Sequence, residues 1–251
     1  MVLTNLNPVR NWIRREYPRP EINPEWLQGC CTALQENDPN INTRDLIHSV
    51  DLQLLLSSLS DSCLPQTGLP APELLEDLHG EMLFQKDYCL VMVMSIMEIG
   101  HSAFQLQTTM ENRKEALSGV RRIRRIRNPQ ADGDGADEEE AEDDDDDEAI
   151  PPYPRGMLRL EVSDGFHTLK AMEYQRIDGL TLGETALGSK ILLKGVQIRR
   201  GILMLTPANT VFKGQMVEEI EMHQGRLFQN ALLRALGYVR CWSYHSTSLT
   251  S

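Results

Sequence analysis

The chain has 251 residues, 41% of them hydrophobic, and a formal net charge of −12. That supplies a core for one mid-sized domain or two small ones, but the longest apolar stretches, such as Leu90–Met97, are too short to span a bilayer. The five cysteines show no CxxC spacing and the six histidines no HxxxH or HExxH. This argues against a metal site and for reduced thiols in an intracellular protein.

The net charge belongs to one segment. Residues 132–148 hold 13 acids and no base, and without them 24 acids face 25 bases. The body of the protein is therefore nearly neutral, and the acidic run "DGADEEEAEDDDDDE" (Asp134–Glu148) must be read alone.

In chain order, residues 1–62 read as a bundle of three helices. "NPVRNWIRREY" starts with Asn7 as a cap and Pro8 at the first helical position, where a missing N–H costs nothing. The signal recurs at Asn23-Pro24, ahead of Trp26, Leu27, Cys31 and Leu34 on one face. A third helix begins near Thr43 and carries Leu46, Ile47, Val50, Leu54 and Leu55. "MVLTNLNPVRNW" lacks the apolar stretch of a secretory signal. Residues 63–85, with Pro65, Pro70 and Pro72, read as a linker with a short helix near Pro72–His79.

From Lys86 the pattern becomes that of strands. "YCLVMVMSIMEI" suits a strand buried on both faces. "MLRLEVSDGFHTLKAMEY" is a hairpin turning at Asp164-Gly165. Two further strands are expected at Lys190–Gly195 and Gly201–Leu205, with Thr210–Gly214 as an optional short addition, and a helix with Val217, Ile220, Leu227 and Leu232 closes the pattern. Five strands with a terminal helix fit a small OB-type barrel. The expected fold is mainly β with helices: a three-helix bundle packed on a five-stranded barrel at 86–240, with an inserted loop at 108–156 and a C-terminal helix.

That loop leaves and re-enters the barrel at one rim, and at 49 residues it reaches roughly 35–42 Å if flexible. Its acids repel one another and bury nothing. Before them, "RRIRRIR" (Arg121–Arg127) sets Ile123 and Ile126 among arginines, the pattern of a basic amphipathic helix or a nuclear-import signal. After them, "AIPPYPRG" is pre-extended, with Tyr153 as an apolar anchor. The acids could serve only as a solvated spacer.

A search for catalytic patterns yields nothing: no GxSxG, no GxxxxGK[ST], no GxGxxG. The expectation is a non-enzyme without cofactor. Single-strand binding by the barrel is the rival reading, with Lys170, Lys190, Lys194, Arg199 and Arg200 as a patch and Phe166, His167 and Tyr174 for stacking. A nearby acidic loop would oppose phosphate.

As a set, "LEVSDG", "AMEYQ", "GSKIL" (Gly188–Leu192) and "GILMLTPANT" followed by a helix resemble the RecQ-mediated genome instability protein 1 (Rmi) family, most strongly over 157–237. "LPQTGLP" and "HSAFQLQ" extend the resemblance upstream. It implies a non-catalytic, nuclear OB-fold subunit that binds a type IA topoisomerase III beside a RecQ-family helicase. The inserted loop would modulate the DNA gate and promote decatenation and double Holliday junction dissolution. Weak contact with single-stranded or junction DNA is also implied, and no membrane.

Carried onto this chain, the topoisomerase contacts would be Lys190, Ile191, Pro151, Pro152, Tyr153 and Arg155. The gate-modulating residues would be Arg121, Arg122, Ile123, Arg124, Arg125 and Ile126 with Asp143, Asp144 and Asp145. Animal members of the family carry a second OB domain, so a chain ending at Ser251 reads as the short fungal form or a fragment. A Tudor-domain-containing relative that binds another type IA topoisomerase is the alternative, although no Tudor pattern is visible.

Overall fold

The computed structural model describes residues 6–118 and 150–238. It falls into two compact units, one of Met1–Gly100 with Arg155–Asn230 and the other of His101–Pro154 with Ala231–Ser251.

The first unit begins with helices α1 (Asn7–Glu16), α2 (Pro24–Asn37) and α3 (Thr43–Leu56), followed by the single turn α4 (Leu59–Ser62). Pro8 occupies the first turn of α1 as expected, but Leu6 is the N-cap and makes no side-chain cap bond. Asn23 caps α2 by accepting from the Glu25 N–H at 2.9 Å. For α3 the cap is Asn42 rather than the expected Thr43: it accepts from the Asp45 N–H and its amide donates to the Asp45 carboxylate, so two helix-end groups satisfy each other. Val9 and Ile13, Leu27 and Cys31, and Leu46 and Val50 recur four residues apart on their helices and bury into one cluster. Each such side chain contributes about 1.5–3 kcal/mol when fully buried.

Among the described residues eight strands form one sheet in the order β1-β6-β7-β4-β3-β2-β5-β8, three more than the five expected. They are β1 (His79–Leu83), β2 (Cys89–Glu98), β3 (Leu158–Ser163), β4 (Thr168–Glu173), β5 (Lys190–Leu193), β6 (Val196–Arg199), β7 (Ile202–Leu205) and β8 (Thr210–Gly214). The short addition allowed for at Thr210–Gly214 forms as β8. Gly195 and Gly201, both at positive φ, bound a further strand, β6, between the two expected at Lys190–Gly195 and Gly201–Leu205. The stretch read as a linker also contains the edge strand β1, whose exposed residues carry no period-2 apolar signal; a turn of 3-10 helix at Pro72–Leu75 precedes it. β4 and β7 run parallel, and every other pairing is antiparallel.

β2 is buried on both faces, as its unbroken apolar run predicted. Leu90 and Met92 join Leu192 against Tyr17, Leu54, Leu55, Leu59 and Cys63, so the helices lie on the outward face of β2 and β5. Backbone bonds reinforce this joint: the Leu90 N–H donates to Arg19 O at 2.7 Å and the Leu64 N–H to Glu21 O at 2.7 Å. Tyr17 donates its hydroxyl to Asp51 at 2.6 Å, and burial pushes its pKa well above the ordinary tyrosine value.

The expected turn at Asp164-Gly165 is present and does more than reverse the chain. Asp164 is fully buried; its carboxylate accepts from the N–H groups of Leu69, Phe166 and His167. The hairpin thereby holds the Gly68-Leu69 stretch as well as its own turn. Gly165 has φ +97°, and a Cβ there would lie 2.3 Å from the backbone nitrogen of Ser60, so only glycine lets α4 sit on the turn.

In the second unit, Ala103–Leu117 is helix α5, capped by Ser102, which accepts from the Gln105 N–H. This corrects two boundaries. The strand region, expected to reach the loop that begins at 108, stops at Glu98, and the first ten residues of the expected loop, 108–117, are helical. The expected terminal helix is two pieces, α6 (Glu218–Glu221) and α7 (Gln224–Ala235).

Candidate partner-binding site at the neck of the insertion

The chain leaves β2 and returns at β3 through a neck built on one carboxylate. Glu98, 2% exposed, ends β2 and accepts from the Gly100 N–H at 2.7 Å and the Met157 N–H at 2.9 Å. The Ile99 N–H also donates to Met157 O at 2.9 Å. A buried carboxylate must be hydrogen-bonded, and two backbone amides satisfy it while pinning outgoing and incoming strands together. The insertion therefore leaves and re-enters at one point of the rim, as expected.

A second clamp sits two residues before Met157. Arg155 makes a two-pronged ion pair with Glu173, the last residue of β4, and also donates to Leu180 O at 3.1 Å. The pair is nearly dry: side-chain exposure is 14% for Arg155 and 2% for Glu173. Glu173 also accepts from the Ile177 N–H at 2.8 Å, which fixes the loop after β4. Arg155, expected as a partner contact, is thus occupied within the barrel, and its buried Nε is without a hydrogen-bond partner among the described residues.

In the other unit, Arg113 of α5 holds the returning Pro-rich segment. Its guanidinium donates to Pro151 O at 2.7 Å and lies 4.8 Å from the centre of the Tyr153 ring, a cation–π contact. Pro151 and Tyr153 are half-buried, and Pro152 is exposed. Tyr153 is the apolar anchor expected from sequence; here it anchors on this chain's own helix.

Lys190 departs furthest from expectation. Its side chain is 0% exposed. Strand alternation puts it on the same face of β5 as Leu192, under the helices. There Nζ donates to Leu55 O at 3.0 Å and Gly188 O at 2.9 Å. Leu55 lies in the last turn of α3, where carbonyls lack helical partners, so the lysine caps the helix and ties it to the barrel. Desolvation lowers its pKa to about 8. Ile191, on the opposite face, is also 0% exposed. Neither side chain presents a surface to a partner, and Lys190 is equally no part of the surface patch that single-strand binding would use.

Arg121, Arg122, Ile123, Arg124, Arg125, Ile126, Asp143, Asp144 and Asp145 lie outside the described residues. Among the described residues no cluster of His, Cys, Asp and Glu could hold a metal ion, and no helix is long and apolar enough to cross a membrane. Burial raises the thiol pKa of Cys63 to about 12 and that of Cys31 to about 11, which leaves both as inert core thiols.

Sequence reasoning missed Glu98, Arg113 and Glu173. For Glu98 a signal existed: an acid closing a doubly buried apolar strand must find donors. For Arg113 and Glu173 none did, because their partners lie 38 and 18 residues away.

A family profile described as RMI1, N-terminal OB-fold domain, matches residues 70–227, which span the whole sheet. A Danio rerio protein named RecQ-mediated genome instability protein 1 is 26% identical over 227 residues, covering 89% of this chain and 38% of that protein. The Schizosaccharomyces pombe protein of the same name is 27% identical over 202 residues, covering 79% of this chain and 83% of its own length. An Arabidopsis thaliana relative so named is 41% identical over 70 residues, 28% of this chain and 11% of that protein. The chain thus spans about two fifths of the zebrafish relative and most of the fission-yeast one.

Proposed function

The chain belongs to the RMI1 family, defined by its N-terminal OB-fold domain, and from that premise we propose that it is a non-catalytic subunit that binds a type IA topoisomerase III and tunes its DNA gate with the inserted segment. The relatives are named as genome instability proteins linked to RecQ, not as enzymes. A RecQ-family helicase is the proposed second partner, decatenation and double Holliday junction dissolution the proposed outcome, and the nucleus the proposed location.

One observation carries this reading. Both ends of the insertion are fastened at Glu98, so the segment starts and ends at one fixed point of the barrel. Fastening both ends raises the effective concentration of the segment at any partner docked near that rim. A terminal tail of the same composition has one fixed end and a larger volume to explore. The acids of 137–148 would then repel or mimic DNA close to a gate, while Pro152 and the neighbouring Pro-rich backbone meet protein.

The test is a mixture of this chain with a type IA topoisomerase III from the same organism, measured by size-exclusion chromatography with light scattering. A one-to-one complex is expected. Deleting 131–149 should leave the complex intact and change the decatenation rate. No complex at micromolar concentration sinks the proposal. Unchanged decatenation reduces the acids to a spacer. Lys190→Glu is the wrong probe, because a carboxylate facing two buried carbonyls would unfold the joint between helices and barrel before it reported on any partner.

A further inference from the structure

The outward face of the sheet carries chemistry that the neck does not use. Strand register sets Met97 of β2 opposite Arg159 of β3, and Arg159 opposite Met172 of β4. Met172 lies beside Met204 of β7, which faces Gln197 of β6, which in turn pairs with Met82 of β1. One row of side chains therefore crosses six strands, a span of about 24 Å at roughly 4.8 Å per strand.

Alternation shows that this row faces away from the core. The chain neighbours Leu160, Ala171 and Leu203 are 0% exposed, whereas Met82 is 50% exposed. Arg159 is exposed, and the other four are half-buried. The N-terminal helices cover the outward residues Leu90 and Met92 of the same strand β2. The row begins beyond the irregularity at Val93/Ser95.

Charge lies along the row with a definite sign. Arg159 stands within it, and the adjoining register line holds Glu161, Lys170 and Arg199, with Ile202 between the last two. Three cations thus face one carboxylate across these two lines. Thioether side chains are polarisable and re-pack around varied apolar partners. Cations among them favour an acidic ligand. Of the aromatics, Tyr174, 55% exposed, continues β4 just past the row, so bases would find little to stack on, and Glu161 would oppose phosphates.

We propose that this methionine row, flanked by Arg159, Lys170 and Arg199, is a docking surface for an acidic peptide segment of a protein partner that carries apolar side chains among its acids. It is independent of the neck and of the topoisomerase reading.

A displayed library of random 16-residue peptides, long enough as a helix to match about 24 Å, is selected against the full chain. Acidic sequences containing Leu, Ile, Phe or Met should be enriched. A synthesised winner should bind at least tenfold more weakly to Met172→Glu/Met204→Glu and to Lys170→Glu/Arg199→Glu. Because all four side chains point outward, both variants should keep the wild-type circular dichroism spectrum; two routes to the same face guard against one of them misfolding. Failure to enrich acidic sequences, or winners that bind both variants as tightly as the wild type, overturns the proposal. So does a fluorescein-labelled dT20 that displaces the winner from the wild-type chain.

Discussion

At the neck of the insertion, Arg155 meets Glu173 and Glu98 meets two amide N–H groups; beneath the N-terminal helices, Lys190 meets only carbonyl oxygens. Both joints bury charge, and both tie segments that lie far apart in the chain. They differ in how that charge is compensated. The Arg155–Glu173 pair carries its own counter-charge, so breaking it strands an ion. Lys190 has dipoles instead of a counter-ion, and desolvation draws its pKa down to about 8. The neck should therefore be sensitive to mutation, and the helix–barrel joint should be sensitive to pH as well.

The largest effect is expected from Glu173→Ala, which leaves Arg155 buried and uncompensated; such losses run about 3–5 kcal/mol. Thermal denaturation followed by circular dichroism should show it far less stable than the double variant Arg155→Met/Glu173→Leu, which removes both charges. Equal losses in the two variants would mean that the pair acts by packing rather than by charge.

The second test concerns pH. The folded-state pKa of Lys190 lies below its ordinary value of 10.5. The unfolded chain therefore binds more protons between about pH 8 and 10.5, and the contribution of Lys190 to stability rises with pH across that window. Relative to Lys190→Met, the wild type should gain roughly 2–3 kcal/mol between pH 7.5 and 10.5 in urea unfolding. Comparison within the pair largely cancels the buried thiols, whose raised pKa values work in the opposite sense above pH 9. A constant difference would mean that Lys190 stays charged throughout.

Glu98→Gln keeps the shape but exchanges two charge-assisted bonds for weaker ones, at a cost of about 1–2 kcal/mol. Hydrogen exchange at the Gly100 and Met157 amides should accelerate while the centre of β3 is unaffected. The smallest effect belongs to Arg113→Ala, which loses one bond to Pro151 and the contact with Tyr153, about 1 kcal/mol confined to that unit. Faster exchange at Tyr153 without a change in melting temperature is the expected sign.

Local patterns were legible where one short stretch decides the outcome. Pro8 and Asn23-Pro24 marked helix starts, Asp164-Gly165 marked the hairpin, and the run at Leu90–Met97 marked a strand buried on both faces. β1 was not legible, because an edge strand with exposed residues lacks the alternation that betrays a strand. Nor was α5: "AFQLQTTMENRKEAL" buries only Leu106 and Met110 among its described side chains, too few for a clear apolar stripe. Among the site residues, Tyr153 was recognised as an anchor, whereas Lys190 was placed on the outside although it lies inside.

By itself, then, the sequence determined the class of the fold, that an insertion separates the apolar strand from the hairpin, and the family to which it points, since hydrophobic period, turn chemistry and motif spacing are properties of neighbouring residues. Only the tertiary structure decided which charges are buried. Whether Lys190 meets water or Leu55 O, whether Arg155 meets a partner or Glu173, and that Glu98 closes the neck depend on contacts across 135, 18 and 59 residues. The solvation of a charge is set by what packs around it in space, and no short window of the chain contains that information.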